Sequence, residues 1–139
     1  MKTKLFIDTN VMLDLLGERK PFYNSIANIA SLANKGQITM VASAISYATV
    51  SYFFSKFKNT EKAKDKLRKF KIISEICDLN KLIIEKGLNS KFSDFEDTLQ
   101  YYCALSSECN ILITRNGKDF KESQIPIMTA DEYLMSIRQ

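Results

Sequence analysis

The acids Asp8, Asp94, Glu96, Asp97 and Asp119 fall in three short stretches, LFIDTNV, SDFEDTLQYY and ILITRNGKDF. Asp8 ends the apolar run Leu5 to Ile7, while Asp119 follows Thr114, Asn116 and Gly117 in a polar segment. The 139 residues include no His, so the commonest general base and the usual transition-metal ligand are both missing. A metal site in this chain is therefore built from oxygen, and such donors select Mg²⁺ or Mn²⁺ over zinc.

The acids of the middle stretch are unusually crowded. Asp94 and Asp97 are three apart and project from one side of a first helical turn. Ser93 and Glu96 have the spacing of a capping box, with Ser93 as N-cap. A helix N-terminus favours each nearby anion by roughly 0.3 to 1 kcal/mol, yet neighbouring carboxylates repel. Three acids in four residues exceed what capping requires. A divalent ion between Asp8 and Asp97 relieves the crowding if the fold brings them together; a solvated acidic helix start is the structural alternative. Asp8 or Asn10 equally suits a helix cap, and Asn116-Gly117 alone is a good turn.

The elements that position these residues follow from periodicity. Leu5 to Ile7 reads as a buried strand, and Val11, Met12, Leu15 and Leu16 as a helix, placing Asp8 at a strand-to-helix junction where open α/β sheets bind ligands. Phe22, Ile26, Ile29 and Ala33 mark a second helix ended by Gly36. Residues 38 to 43 predict a strand, and 44 to 57 a helix with Ile45, Ala48, Tyr52 and Phe53 on its inner face. Thr60 to about Lys69 predicts a helix, with Ala63, Leu67 and Phe70 inward, then residues 71 to 77 a strand. Helices follow from about Asn80 to Leu88 and from Ser93, the latter burying Leu99, Tyr102, Cys103 and Leu105. Residues 111 to 114 form a clear buried strand, followed by a polar loop, an edge strand near 126 to 128 and a helix from about Ala130. Strands alternating with helices predict a single doubly wound α/β domain over residues 1–139, a central parallel sheet flanked by helices.

Composition agrees with a globular chain, at 45% hydrophobic and 26% charged residues. Cys77, Cys103 and Cys109 are odd in number and lack Cys-x-x-Cys spacing, which predicts reduced core residues. No apolar run approaches the ~18 residues that span a bilayer. The expectation is an untargeted, cytoplasmic protein with no membrane partner.

In order and separation, LFIDTNV, SDFEDTLQYYCAL and ILITRNGKDF resemble the motifs of the PIN domain family over nearly the whole chain. The resemblance implies a parallel sheet with an acidic pocket and, in active members, metal-dependent endoribonuclease activity. Many small bacterial members are toxins of toxin–antitoxin pairs, which implies a small antitoxin protein as partner; a homodimer also stays open. Asp8 matches the family's first acid, Asp97 its helix-start acid, and Asn116 and Asp119 the polar positions after the last strand. Asn10 matches a residue that supports the first acid by hydrogen bonding, and Asp94 is an additional acid for water or a second ion. The departure is in ISYATVSYFF, where the family's helix Glu is replaced by Thr49; Asp94 or Glu96 is the substitute this chain offers.

A site of this kind suits phosphodiester hydrolysis, because a divalent ion activates water and neutralises phosphate charge without a side-chain nucleophile. Asp8 and Asp97 are the expected ligands, Asp119 a direct or water-mediated one, and Asn116 and Thr114 positioners of water or phosphate. Residues 56 to 71 carry eight Lys or Arg against two acids in a chain of net charge +4. That asymmetry fits an RNA backbone, with Tyr47, Tyr52 and Phe57 as stacking partners. A solvated amphipathic helix, with the three rings in the core, explains the same residues. Two rival functions remain. A silent PIN-like domain that binds RNA or protein follows from the absent helix acid. LFIDTNV also resembles the opening of the haloacid dehalogenase superfamily, an aspartyl-nucleophile phosphotransfer fold, but Asn10 stands where that family has a second Asp.

Overall fold

The computed structural model describes residues 2–57 and 59–138, without the side chain of Phe57. The chain runs β1 (Thr3–Ile7), α1 (Thr9–Leu16), α2 (Tyr23–Asn34), β2 (Ile38–Ser43), α3 (Ala44–Phe57), α4 (Thr60–Ile72), β3 (Ser74–Cys77), α5 (Lys81–Leu88), α6 (Phe95–Ser106), β4 (Ile111–Ile113), a 3₁₀ turn (Gly117–Phe120), β5 (Ile127–Met128) and α7 (Ala130–Ser136). The strands form a five-stranded sheet in the order β3-β2-β1-β4-β5, with every neighbouring pair parallel.

Central β1 is covered on both faces, which is why its sequence is a continuous apolar run rather than an alternating one. Leu5 and Ile7 pack with Met12, Ile29, Val50 and Phe70 in one core, and Phe6 with Leu99, Tyr101, Cys103 and Phe120 in the other. The chain winds outward through β2 and β3, then returns to the far side of β1 as β4. Strand order reverses between β1 and β4, and the carboxyl end of that pair is where open α/β sheets take ligands.

Several elements match the sequence reading closely, including β2, α3 and the Gly36 stop, at a φ of 75°. Others differ. The strand predicted over 71 to 77 is only Ser74–Cys77, because α4 continues to Ile72 and Ser74 Oγ closes its end by donating to the Phe70 carbonyl at 2.6 Å. β-Branched Ile72, 81% exposed, imitated a strand start without being buried. On α3 the inward residues are Ser46, Val50 and Phe54, while Ala48 and Tyr52 face outward. Ile45 and Phe53 are half-buried against the cores as expected, but the mixed apolar and polar residues of α3 did not distinguish Ala48 and Tyr52 from the buried Ser46, Val50 and Phe54. Tyr52 is therefore not a core ring; Tyr47 packs edge-on against Phe70 at 6.0 Å between ring centres, and the Phe57 side chain lies outside the described residues. On α6 Tyr101 and Ala104 are buried, with Tyr102 and Leu105 only half so. Part of the predicted loop after β4 is the 3₁₀ turn. The three cysteines are free and buried.

Candidate active site at the strand-order reversal

Asp8 is at once the N-cap of α1 and the deepest acid of the site. Its amide continues the sheet by donating to the Ile113 carbonyl at 3.1 Å. One carboxylate oxygen accepts the Thr9 N–H at 2.9 Å, and the other accepts the Thr114 hydroxyl at 2.8 Å. Thr114 Oγ1 in turn accepts the Asn116 N–H at 3.1 Å, so the loop after β4 is pinned to the end of β1. The support expected from Asn10 comes from Thr9 and Thr114 instead; Asn10 is exposed, with its carbonyl accepting from Arg19. Only 6% of Asp8 is exposed. Burial pushes its carboxyl pKa up; the Thr114 and Thr9 hydrogen bonds and the nearby Gln100 amide partly offset this, and the Asp119 charge adds to the rise.

The second acidic group stands at the start of α6. Asp94, not Ser93, is its N-cap, accepting the Asp97 N–H at 2.9 Å, with Thr98 Oγ1 donating to the Asp94 carbonyl at 2.8 Å. The Ser93–Glu96 capping box is thus replaced by an Asp94 cap one residue later, which leaves Glu96 free of capping. Asp and Ser are equivalent caps, so residue type alone does not choose between them; the helix of this chain starts at Phe95 and buries Thr98, Leu99, Gln100, Tyr101, Cys103 and Ala104.

These groups share one electrostatic field. The Asp97 carboxyl is pushed up to about 7 by burial and by Asp94, Asp8, Asp119 and Glu96. Glu96 is raised by burial, Asp94 and Asp8. Asp119, exposed on the 3₁₀ turn, is tied back by its N–H to the Asn116 carbonyl at 2.9 Å. Charge from β1, from α6 and from the segment after β4 is therefore concentrated at the strand-order reversal. Among the described residues no three Asp, Glu, Cys or His side chains stand close enough to clasp one ion by themselves. An all-oxygen set of this looseness fits a hard cation that keeps several waters and takes only one or two carboxylates directly.

Thr49 is half-buried on α3, one turn beyond Ser46. Sequence reasoning overlooked Ser43, Ser46 and Gln100, all buried and hydrogen-bonded behind Asp8 together with Thr9. The available signal was Gln100, an amide three residues after Asp97 on an otherwise apolar face. Asp14 was overlooked too. It is 1% exposed and held by Arg19 and Arg115, whose Nε atoms donate at 2.9 and 2.8 Å. Arg115 also stacks over Phe22 at 4.0 Å, forming one wall of a cleft of about 320 Å³ that Asp14 and Asp131 also line, and that none of Asp8, Asp94, Glu96, Asp97 and Asp119 lines.

Linkage gives the acids a sign in stability. A carboxyl whose folded pKa lies above its unfolded value favours the fold while protonated and loses that advantage as pH rises through the folded pKa. With chelator present, the melting temperature is expected to fall from about pH 5 to about pH 8, and less so in Asp97→Asn. Mn²⁺ is expected to flatten the fall, because a cation takes the place of the protons. Thermal melts across that range check this; equal slopes in wild type and Asp97→Asn contradict it.

Residues 4–118 match the model of the PIN domain family. The chain is 28% identical over 135 residues to Ribonuclease VapC1 of Aquifex aeolicus, covering 94% of this chain and 92% of that protein. Among solved structures it resembles VapBC2 of Rickettsia felis bound to a promoter DNA fragment, at a TM-score of 0.69 and 23% identity over 91% of this chain and 97% of that one. It also resembles Mycobacterium tuberculosis VapC20, a sarcin-ricin loop cleaving toxin, at a TM-score of 0.64 and 8% identity over 83% of this chain and 92% of that one. With its strand order, its acids and a family match over most of its length in agreement, the chain belongs to the PIN domain family.

Proposed function

We propose that this chain is a metal-dependent endoribonuclease that hydrolyses RNA phosphodiester bonds and acts as the toxin of a toxin–antitoxin pair. The observation that carries the reading is the concentration of carboxylates at the β1–β4 reversal, where Asp97 is raised to about 7 by burial and by its acidic neighbours. The ribonuclease name of the Aquifex relative and the toxin–antitoxin complexes among the structural neighbours support it. A small antitoxin is the expected protein partner and the cytoplasm the expected compartment; no helix among the described residues is long and apolar enough to cross a membrane.

Asp8 and Asp97 are assigned as ligands of Mg²⁺ or Mn²⁺, Asp119 as a direct or water-mediated one, and Asp94 and Glu96 as reserve charge at the rim. When bound, the ion supplies an activated water and neutralises charge on the phosphate. Thr114 holds Asp8 in place through its hydroxyl and fixes the Asn116 backbone, and the Asn116 side chain is assigned to position water or phosphate. Thr9 N–H fixes the other oxygen of Asp8. Thr49 adds no charge where the family has an acid, which is the observation favouring a silent RNA- or protein-binding module as the second reading.

An acidic site needs cationic flanks to receive RNA. On α4 the inward stripe of buried Ala63 and Phe70 with half-buried Leu67 separates two basic edges. Lys64 and Arg68 are paired with Glu61 and Asp65 at 4.0 and 2.6 Å. Lys62, Lys66 and Lys69 pair with no acid among the described residues. Exposed Tyr52, with Lys56 Nζ 5.9 Å from its ring centre, offers a stacking face. Replacing all three lysines by Gln is expected to weaken RNA binding and lower the slope of log K against log salt by about 2, since each single-strand phosphate contact contributes ~0.7. Fluorescence anisotropy over a salt series checks this; an unchanged slope places the RNA elsewhere.

The function itself is tested by incubating the protein with defined RNAs in Mn²⁺, in Mg²⁺ and in EDTA. Cleavage with either ion and none with EDTA is the expected result. RNA binding without cleavage in all three establishes the silent module instead.

A further inference from the structure

Behind Asp8 lie four polar side chains that no ligand role uses. Thr9, Ser43, Ser46 and Gln100 are at most 8% exposed and come from α1, the end of β2, α3 and α6. Gln100 Nε2 donates to Thr9 Oγ1 and to Ser46 Oγ, both at 2.8 Å. Ser43 Oγ donates to Gln100 Oε1. The Thr9 and Ser46 hydroxyls are 2.7 Å apart, and those of Ser43 and Ser46 are 3.3 Å apart.

The protons can be placed one by one. The Ser43 hydroxyl proton is committed to Gln100, so Ser43 Oγ is an acceptor for Ser46. The Ser46 proton then goes to Ser43, and the Thr9 proton goes to Ser46. The Gln100 amide returns a proton to Thr9, and the ring Thr9→Ser46→Ser43→Gln100→Thr9 closes with all donors pointing the same way round. Hydrogen bonds so chained polarise one another, and a buried network is rigid when every member is satisfied.

The location of the ring matters more than its strength. Thr9 is next to Asp8, and its own amide is bound by that carboxylate. Gln100 is three residues after Asp97, one turn along α6 on the same side. We propose that Gln100 is a positioning residue, closing a hydrogen-bonded ring that fixes the separation between Asp8 on the β1–α1 junction and Asp97 on α6. This rests on the nuclease reading of the site. In a chain with Thr49 where the family has a helix acid, fewer charges hold a cation, so the spacing of those that remain matters more.

The test compares wild type with Gln100→Met, which keeps side-chain length without polar atoms, and with the three-site variant Thr9→Val, Ser46→Ala and Gln100→Met. The latter removes the ring but keeps Ser43, whose Oγ accepts the Ser46 N–H at 3.2 Å at the start of α3. Three quantities are measured: melting temperature in EDTA, Mn²⁺ affinity by calorimetry, and kcat and KM on a defined RNA. Gln100→Met is expected to melt lower, bind Mn²⁺ about 10-fold more weakly or worse, and lose kcat with little change in KM. The three-site variant is expected to regain melting temperature, because fewer buried polar groups are left unpaired, but to regain neither Mn²⁺ affinity nor kcat. If Gln100→Met does not fold, the three-site variant decides alone. Wild-type Mn²⁺ affinity and kcat in the three-site variant overturn the proposal, leaving the ring a purely structural device. A wild-type protein that neither binds Mn²⁺ nor cleaves RNA overturns the nuclease reading and this proposal together.

Discussion

Asp8→Asn is expected to lower RNA cleavage by more than about 100-fold while leaving the fold intact, exceeding the 10- to 100-fold that loss of a merely supporting partner costs at a metal site. Asn is as good an N-cap as Asp, so the Thr9 N–H keeps an acceptor and α1 keeps its start. The Thr114 hydroxyl also keeps a partner if the amide oxygen faces it. What disappears is the charge, and with it the most deeply placed carboxylate of the site. The same substitution removes a repulsion that raises Asp97 and Glu96. The metal-free variant is therefore expected to melt no lower than wild type above about pH 7. Gel-based cleavage assays in Mn²⁺, paired with melts in EDTA, check both halves. Cleavage within about 10-fold of wild type removes Asp8 from the catalytic role.

The second large effect lies away from the acids. Asp14→Ala is expected to destabilise the protein by about 3 kcal/mol, the cost of breaking a buried ion pair by removing one partner. The Asp14 side chain is 2% exposed and salt-bridged to Arg19 and Arg115, each about one-third exposed. Because those guanidinium groups reach water, they rehydrate in part, which places the loss at the low end of the buried-pair range. Arg115 lies between Thr114 and Asn116, so losing its anchor also loosens the segment that holds Asp8. Urea denaturation measures the stability. A loss under about 1 kcal/mol contradicts the account, because it assigns the pair the weight of an exposed one.

The outline of the fold was legible in the sequence because its central signals are strong and mutually consistent. LFI and ILI are buried runs of the kind that only a covered parallel strand needs, and Gly36 stops α2 in the left-handed conformation. The positions of the acids were legible as well, Asp8 after a buried strand and Asp94 to Asp97 at a helix start, although Asp8 and Asp94 also serve as N-caps there. Phase was harder to read. Ser93 and Asp94 are equal candidates for a cap, so residue type alone does not reveal that Asp94 takes the position. The interleaved polar and apolar residues of α3 hid which side faces inward, and with it the role of Ser46. Asp14 and Gln100 escaped notice because their meaning depends on partners about a hundred residues away in sequence: Arg115 for the first, Thr9 for the second.

In the proposed site, Asp8 at the β1–α1 junction and Asp97 on α6 hold one divalent cation between them. Calorimetric titration of Mn²⁺ into metal-free wild type, Asp8→Asn and Asp97→Asn tests it most directly. Saturable binding to wild type and a loss of more than about 10-fold in affinity in each variant are expected, since either change removes a charged oxygen ligand. Wild-type affinity in both variants contradicts it.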